Sequence, residues 1–400
     1  MTAATARIGE PFPQLGRLPP LSIAAALVGL VALATGGIAL ADAYDWRRGA
    51  QLILGAALGI TLYHAAFGFT GAWRQFIVER RGAGLRAQML MLAIAVVLFF
   101  PVLAEGSLFG RPVAGFVMPA GTSVIIGAFI FGIGMQLGGG CASGTLFAAG
   151  GGNARMVVVL GFFVLGSVIA TAHLPWWYSL PSLGAHSLVR AAGWPAALAA
   201  NLAAFAAVAV ASWWLEIRRH GQAARAPGPE RTGLARLLQG PWPLVLGAVL
   251  LAVLNFATLA LAGRPWGITS AFALWGAQAF DAVGIGVRDW PYWAGQTAQI
   301  DGSLFGDVTS VMDFGLILGA MVAAGLAGRF APSLRIPLRS LLAAVLGGLL
   351  LGYGARLSYG CNIGAFFSGV ASGSLHGWVW LVAAFTGNML GVRLRPWFRL

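Results

Sequence analysis

Runs of about 20 mostly apolar residues recur along this chain, and they fix the solvent in which it folds, because a helix needs about that length to cross the hydrocarbon of a bilayer. The runs lie at 21–40, 87–103, 156–172, 196–215, 243–261, 311–327, 338–354 and 378–392. In lipid every backbone N–H and C=O must find its partner inside the protein, so the expected class is all-α and polytopic. Composition agrees, since 9% of the 400 residues are charged against roughly 25% in soluble domains. The first run is long, lacks a small-residue cleavage site and is followed by others. It is expected to remain as a span rather than to leave as a signal peptide.

The formal net charge is +13 with no lysine at all, so every one of the 25 cationic side chains is an arginine. In a soluble protein such a balance would suggest nucleic acid; here the arginines sit in short connections between apolar runs, where positive-inside anchoring accounts for them and no nucleic-acid partner is expected. Four clusters are placed in the cytoplasm: Arg74, Arg80, Arg81 and Arg86; Arg218, Arg219, Arg225, Arg231 and Arg236; Arg329, Arg335 and Arg339; and Arg393, Arg395 and Arg399. Connections with Asp42 and Asp45, Glu105, His173 and His186, and Asp289, Asp301 and Asp307 are placed outside. The alternation then fails once, between 243 and 283, where a half-length or re-entrant segment would restore it. It also makes the stretches 119–153 and 339–374 cross in opposite directions.

Those two stretches resemble each other. At a constant offset of 220, Gly127, Gly132, Gly134, Leu137, Gly140, Cys141, Gly144 and Phe147 fall on Gly347, Gly352, Gly354, Leu357, Gly360, Cys361, Gly364 and Phe367. Both cysteines of the chain are in register without a gap. A weaker match at an offset of 208 sets Gly59, Ile60 and Thr61 on Gly267, Ile268 and Thr269. Similarity with opposed direction is the pattern of an inverted-topology repeat, in which discontinuous helices meet near the midplane. The expected organisation is a first membrane repeat at 1–215, a cytoplasmic linker at 216–242 and a second repeat at 243–400, together one integral membrane domain.

Residues 132–145 read Gly-Ile-Gly-Met-Gln-Leu-Gly-Gly-Gly-Cys-Ala-Ser-Gly-Thr. Glycine costs a helix about 1 kcal/mol relative to alanine, so Gly138, Gly139, Gly140 and Gly144 predict an unwound break at Cys141. The second break, 352–364, brings Arg356, Ser358, Tyr359, Gly360, Cys361, Asn362 and Gly364. A helix starting after each cysteine would aim free N–H groups and a positive dipole end at the break, which suits an anion. A thiol is polarizable and a weak hydrogen-bonding group, suited to holding a sulfur atom loosely. The bland reading is close helix packing through glycine with buried small thiols; a Cys141–Cys361 disulfide is a further alternative.

Around these breaks the candidate path residues are Cys141, Cys361, Gly140, Gly144, Gly360, Gly364, Ser143, Asn362, Gln136 and Arg356, with Thr61, Thr269 and His64 on the weaker repeat. Arg356, five residues before Cys361 where Gln136 precedes Cys141, is either a counter-charge for an anion or an arginine snorkelling to the cytoplasmic interface. For Thr61, Thr269 and His64 the alternative is an interhelical hydrogen bond. Asp281 and Asp313 are candidate proton carriers that are expected at interfaces, and Trp176, Trp177, Trp290 and Trp293 are expected in an outer aromatic belt.

At Gly-Gly-Gly-Cys-Ala-Ser-Gly-Thr, 138–145, and Ser-Tyr-Gly-Cys-Asn-Ile-Gly-Ala, 358–365, the sequence resembles the YeeE/YedE family of bacterial inner-membrane sulfur transporters. The resemblance implies a multi-pass inner-membrane protein, not an enzyme, that takes up thiosulfate or a related sulfur or selenium species along thiol-to-sulfur hydrogen bonds. It implies membrane lipid and a small sulfur anion as partners, a cytoplasmic sulfur-carrier protein beside it, and neither cofactor nor metal. One departure stands out. Thiosulfate-moving members tend to carry a third cysteine in an early motif, and here Phe67, Gly68, Phe69 and Thr70 occupy that neighbourhood. Two rival functions stay open: a membrane thiol-redox enzyme, disfavoured by histidines scattered at 64, 173, 186, 220 and 376 without haem spacing, and a non-transporting subunit of a complex.

Overall fold

A computed structural model describes residues 18–223 and 233–400, and these are almost entirely helical. The first half holds α1 (Pro20–Ala43), α2 (Trp46–His64), α3 (Phe69–Glu79), α4 (Ala83–Glu105), α5 (Thr122–Gly138), α6 (Ala142–Gly150), α7 (Ala154–Tyr178), α8 (Leu188–Ala192) and α9 (Trp194–His220). The second holds α10 (Gly233–Gln239), α11 (Leu244–Ala262), α12 (Thr269–Ala282), α13 (Thr297–Asp301), α14 (Val308–Leu326), α15 (Leu338–Leu357), a π-helix (Asn362–Ser368), α16 (Gly369–Ala371) and α17 (Leu375–Leu394). Two short antiparallel strand pairs, one joining Pro119–Gly121 to Ser182–Ala185, are the only sheet among the described residues.

Ten segments among the described residues are long and apolar enough to cross a membrane. Two of them, 46–79 and 122–150, were not among the apolar runs because breaks divide them. Polar caps start the helices where water or loops are near: the Asp45 carboxylate accepts from the Arg48 N–H at 2.9 Å and Asp307 from the Ser310 N–H at 2.7 Å, each satisfying a donor that a helix start leaves open. Between 243 and 283, where a half-length or re-entrant segment was expected, the 19 residues of α11 are followed by the 14 of α12. α9 continues to His220, into the stretch expected as the linker. Arg225 and Arg231, assigned to it, lie outside the described residues.

The core forms where the halves interlock. α15 packs along both α7 and α5, α17 along α5, and α14 along α2. α5 and α15 run antiparallel: Gly127 abuts Gly354 and Leu357, and Gly134 abuts Leu351. Gly347 is pressed against the Gly138 backbone so closely that any side chain would collide with it, which is how small residues let helices associate in lipid without a hydrophobic driving force.

The weaker repeat is not matched by the structure. Gly59–Thr61 lies inside α2, whereas Gly267 and Ile268 precede α12 and Thr269 begins it. The stretch that shares this setting in the first half is 65–68, between the 19-residue α2 and the shorter α3. Of the expected tryptophan belt, Trp176 is exposed at 59% but Trp293 is buried, donating to Thr171 at 3.0 Å.

Candidate functional site

Both glycine-rich stretches are breaks, and both breaks end in a cysteine that caps the next helix. α5 stops at Gly138, Gly139 follows with φ +88°, and Cys141 is the N-cap of α6. α15 stops at Leu357, Gly360 takes φ +155°, and Cys361 is the N-cap of the π-helix. Both values lie where a side chain is strained and glycine is not. α6 and the π-helix pack against each other in the interior. The two thiols are buried and free of any disulfide.

The local bonding of the thiols differs. Cys141 Sγ lies 3.3 Å from Ser143 Oγ. Cys361 Sγ accepts the Ile363 N–H at 3.4 Å. Its carbonyl accepts both the Ala365 N–H at 2.9 Å and the Phe366 N–H at 3.3 Å, the widened turn of a π-helix, a form found often at functional sites. Asn362, at 0% exposure, has no partner for either amide atom, and Thr145 Oγ1 is likewise unpartnered. Buried polar groups are nearly always bonded, so these atoms stand out within the two breaks.

Space accompanies them. Gly144 and Gly364 are buried, yet a Cβ at Gly364 would meet no atom within 4 Å and one at Gly144 would meet only Cys141 Sγ, at 3.7 Å. Each stands three residues after its cysteine, so there is room for at least a methyl group at the same place in both helices. Gly140 packs against Gly144 and Thr145.

The remaining sequence candidates are dispersed. Gln136 is a clamp: its Nε2 donates to Asn388 Oδ1 at 2.6 Å and to the Thr70 carbonyl at 3.2 Å, tying α5 to α17 and α3, while Oε1 is free. Arg356 stands at the opposite end of α15 from Arg339 and donates to Tyr292 Oη at 3.3 Å, so it reaches the loop assigned to the outside and does not snorkel to the cytoplasmic interface. Thr61 bonds its own helix at the Ala57 carbonyl, 2.8 Å. Thr269 is buried at the start of α12. His64 packs on Trp242, ring centroids 5.1 Å apart, at the junction of α2 with α11. Asp281 is locked to Arg288 at 2.6 and 2.7 Å.

Several contributors went unread in the sequence. Arg155 donates to the carbonyls of Gly138 and, at 2.7 Å, Leu137, and Arg395 donates to that of Gln136 at 2.8 Å. Two guanidinium groups thus cap the end of α5 where the break leaves carbonyls open. Both belong to a basin of about 760 Å³ that Arg335, Arg339 and Arg399 also line. Phe69, in the stretch where a third cysteine was expected, meets Phe366 of the π-helix edge-on at 6.2 Å. Asp313, expected at an interface, is at 0% exposure in α14 with no partner for either oxygen. Alternating hydropathy carries no mark of such polar atoms.

These features define a class: a multi-pass helical membrane protein whose interior is entered by two interrupted helices. The chain belongs to the sulphur transport family, whose model matches residues 64–390. It is 26% identical to the thiosulfate transporter TsuA of Escherichia coli over 84% of this chain and 91% of that protein. With TsuA of Spirochaeta thermophila it shares 28% identity over 84% of this chain and 96% of that one. The probable transporter YedE of Escherichia coli is 34% identical over 40% of this chain, and the match spans 39% of that protein's length.

Proposed function

We propose that the protein moves a small sulfur-containing anion, of the thiosulfate type, across the bacterial inner membrane through a passage between Cys141 and Cys361. The observation that carries the reading is that two helices, each with a cysteine at its N-cap position and room at the glycine three residues on, pack against each other. N–H groups and dipole ends at both starts attract negative charge, while the weak thiol donors and the unpartnered Asn362 amide give contacts strong enough to guide and weak enough to release. TsuA relatives covering most of the chain favour thiosulfate; Phe69 in place of a thiol leaves two sulfur contacts rather than three. The arginine basin below α5 is suited to receive the anion on leaving.

The halves are read as an inverted-topology repeat with the site at their shared interface. Supporting this, α7 packs on α15 as α17 packs on α5, and α6 packs on α7 as the π-helix packs on α17. A cytoplasmic sulfur carrier is a fitting acceptor at the basin. The test is radiolabelled thiosulfate uptake by cells lacking their own transporter. Uptake on expression, lost when both Cys141→Ala and Cys361→Ala are present at equal protein level, is expected. Unchanged uptake by that double variant would remove the thiols from the path.

A further inference from the structure

α14 carries a carboxyl that the passage as described does not use. Asp313 is the sixth residue of that helix, at 0% exposure, and neither Oδ1 nor Oδ2 has a hydrogen-bond partner. Asp307, one and a half turns earlier, shows what an ordinary carboxylate does here: it holds the Ser310 N–H and Oγ at 2.7 and 2.8 Å. Lipid-embedded carboxyls are expensive and mark ion or proton routes by default. An ionised carboxylate with no donor and no cation is the costlier form in such surroundings, so this position accommodates a proton.

The placement ties it to the thiols. α14 packs on α6, with the Ile317 carbonyl, one turn beyond Asp313, against Gly150. α6 starts after Cys141 and packs in turn on the π-helix that starts after Cys361. Several charged and titratable groups of the surrounding elements are engaged elsewhere. Arg264 holds Thr309 at 3.1 Å, Arg48 holds Gln51 at 2.9 Å, Asp281 pairs with Arg288, His64 packs on Trp242, and Tyr63 adjoins Gly151. Asp307, at the N-cap of the same helix, is a further carboxylate nearby in the chain.

We propose that Asp313 is a proton-coupling site, so that a proton carried on its carboxyl enters together with the anion. The step is simple in its balance: an Oδ–H bond forms with a proton from one side of the membrane and breaks toward the other, with no electron transfer. An anion between the thiols repels an ionised Asp313 and not a neutral one, so occupancy favours protonation, and by reciprocity protonation favours occupancy. The proposal rests on the anion passage argued above.

Purified protein in proteoliposomes, given radiolabelled thiosulfate with and without an acid-outside gradient, tests it. Wild-type initial uptake should rise with the gradient by roughly tenfold, within the usual range for coupling between two sites. Asp313→Asn should lower uptake and make what remains indifferent to the gradient, while Asp313→Glu should restore part of the response. Infrared spectra of the wild type should contain a protonated-carboxyl band that Asp313→Asn lacks. Wild-type uptake that ignores the gradient, or an Asp313→Asn protein that keeps the full response, overturns the coupling and leaves the passage standing. No thiosulfate uptake under any condition overturns the passage and the coupling with it.

Discussion

The first break and the second share a cysteine, a following helix and a glycine three residues on, yet they are built to different tolerances. Before Cys141 the end of α5 is held hard: Arg155 and Arg395 satisfy the carbonyls of residues 136–138, and Gln136 ties the same turn to Asn388. Before Cys361 the end of α15 is closed by hydroxyls instead, Ser358 Oγ bonding the Gly354 carbonyl at 2.7 Å and Tyr178 Oη the Arg356 carbonyl at 3.3 Å. After the break the contrast continues. α6 is a regular helix with its thiol beside a hydroxyl, whereas the second helix starts as a π-helix with an unbonded amide at its first residue. One half is anchored and the other keeps spare bonding capacity, so the anchored half is expected to set stability and the spare half to set substrate contact.

The largest effect that would break this contrast is on Arg155. Arg155→Ala leaves two buried carbonyls without donors, at roughly 1–3 kcal/mol each. Thermal unfolding in detergent should show a clear loss of stability, and an unmoved midpoint would remove the anchored half from the account. Next come the thiols themselves. Cys361→Ala should slow thiosulfate uptake by about tenfold, equivalent to ~1.4 kcal/mol of barrier, and more than Cys141→Ala does, because Cys361 also caps its helix through Ile363. Equal rates for both single variants would blunt the comparison.

Asn362 and Gln136 sharpen it further. Asn362→Ala should lower uptake severalfold with stability unchanged, since its amide holds nothing in the protein. Gln136→Ala should do the reverse, costing on the order of 1–2 kcal/mol through its lost bonds to Asn388 and Thr70. A melting curve and an uptake rate on each variant check both halves of that statement. The smallest effect is expected of Ser143→Ala, which removes one weak sulfur–hydroxyl contact and should change uptake by no more than about threefold, or ~0.7 kcal/mol.

Much of this was legible because it is written in spacing. Apolar length gave the membrane class, glycine clusters gave the breaks, and the gapless register of Cys141 with Cys361 gave their equivalence. The Gly-Ile-Thr recurrence misled because three common membrane residues can recur in different settings, inside α2 in one case and at the start of α12 in the other. Arg155 and Arg395 were hidden by a sufficient explanation, since any arginine near a helix end satisfies positive-inside anchoring. Asp313 was hidden by its position in the sequence, near a helix start, where a carboxylate is ordinarily exposed. Whether it meets a neighbour is decided by how α14 lies on α2 and α6, which no local pattern records.

The most direct measurement is chemical bridging of the two thiols. Purified protein treated with a short homobifunctional thiol reagent, then digested and read by mass spectrometry, should yield one intramolecular species joining the peptide of Cys141 to that of Cys361, and thiosulfate should slow its formation. Two separately modified cysteines with no joined peptide, at full modification of both, would contradict a shared passage.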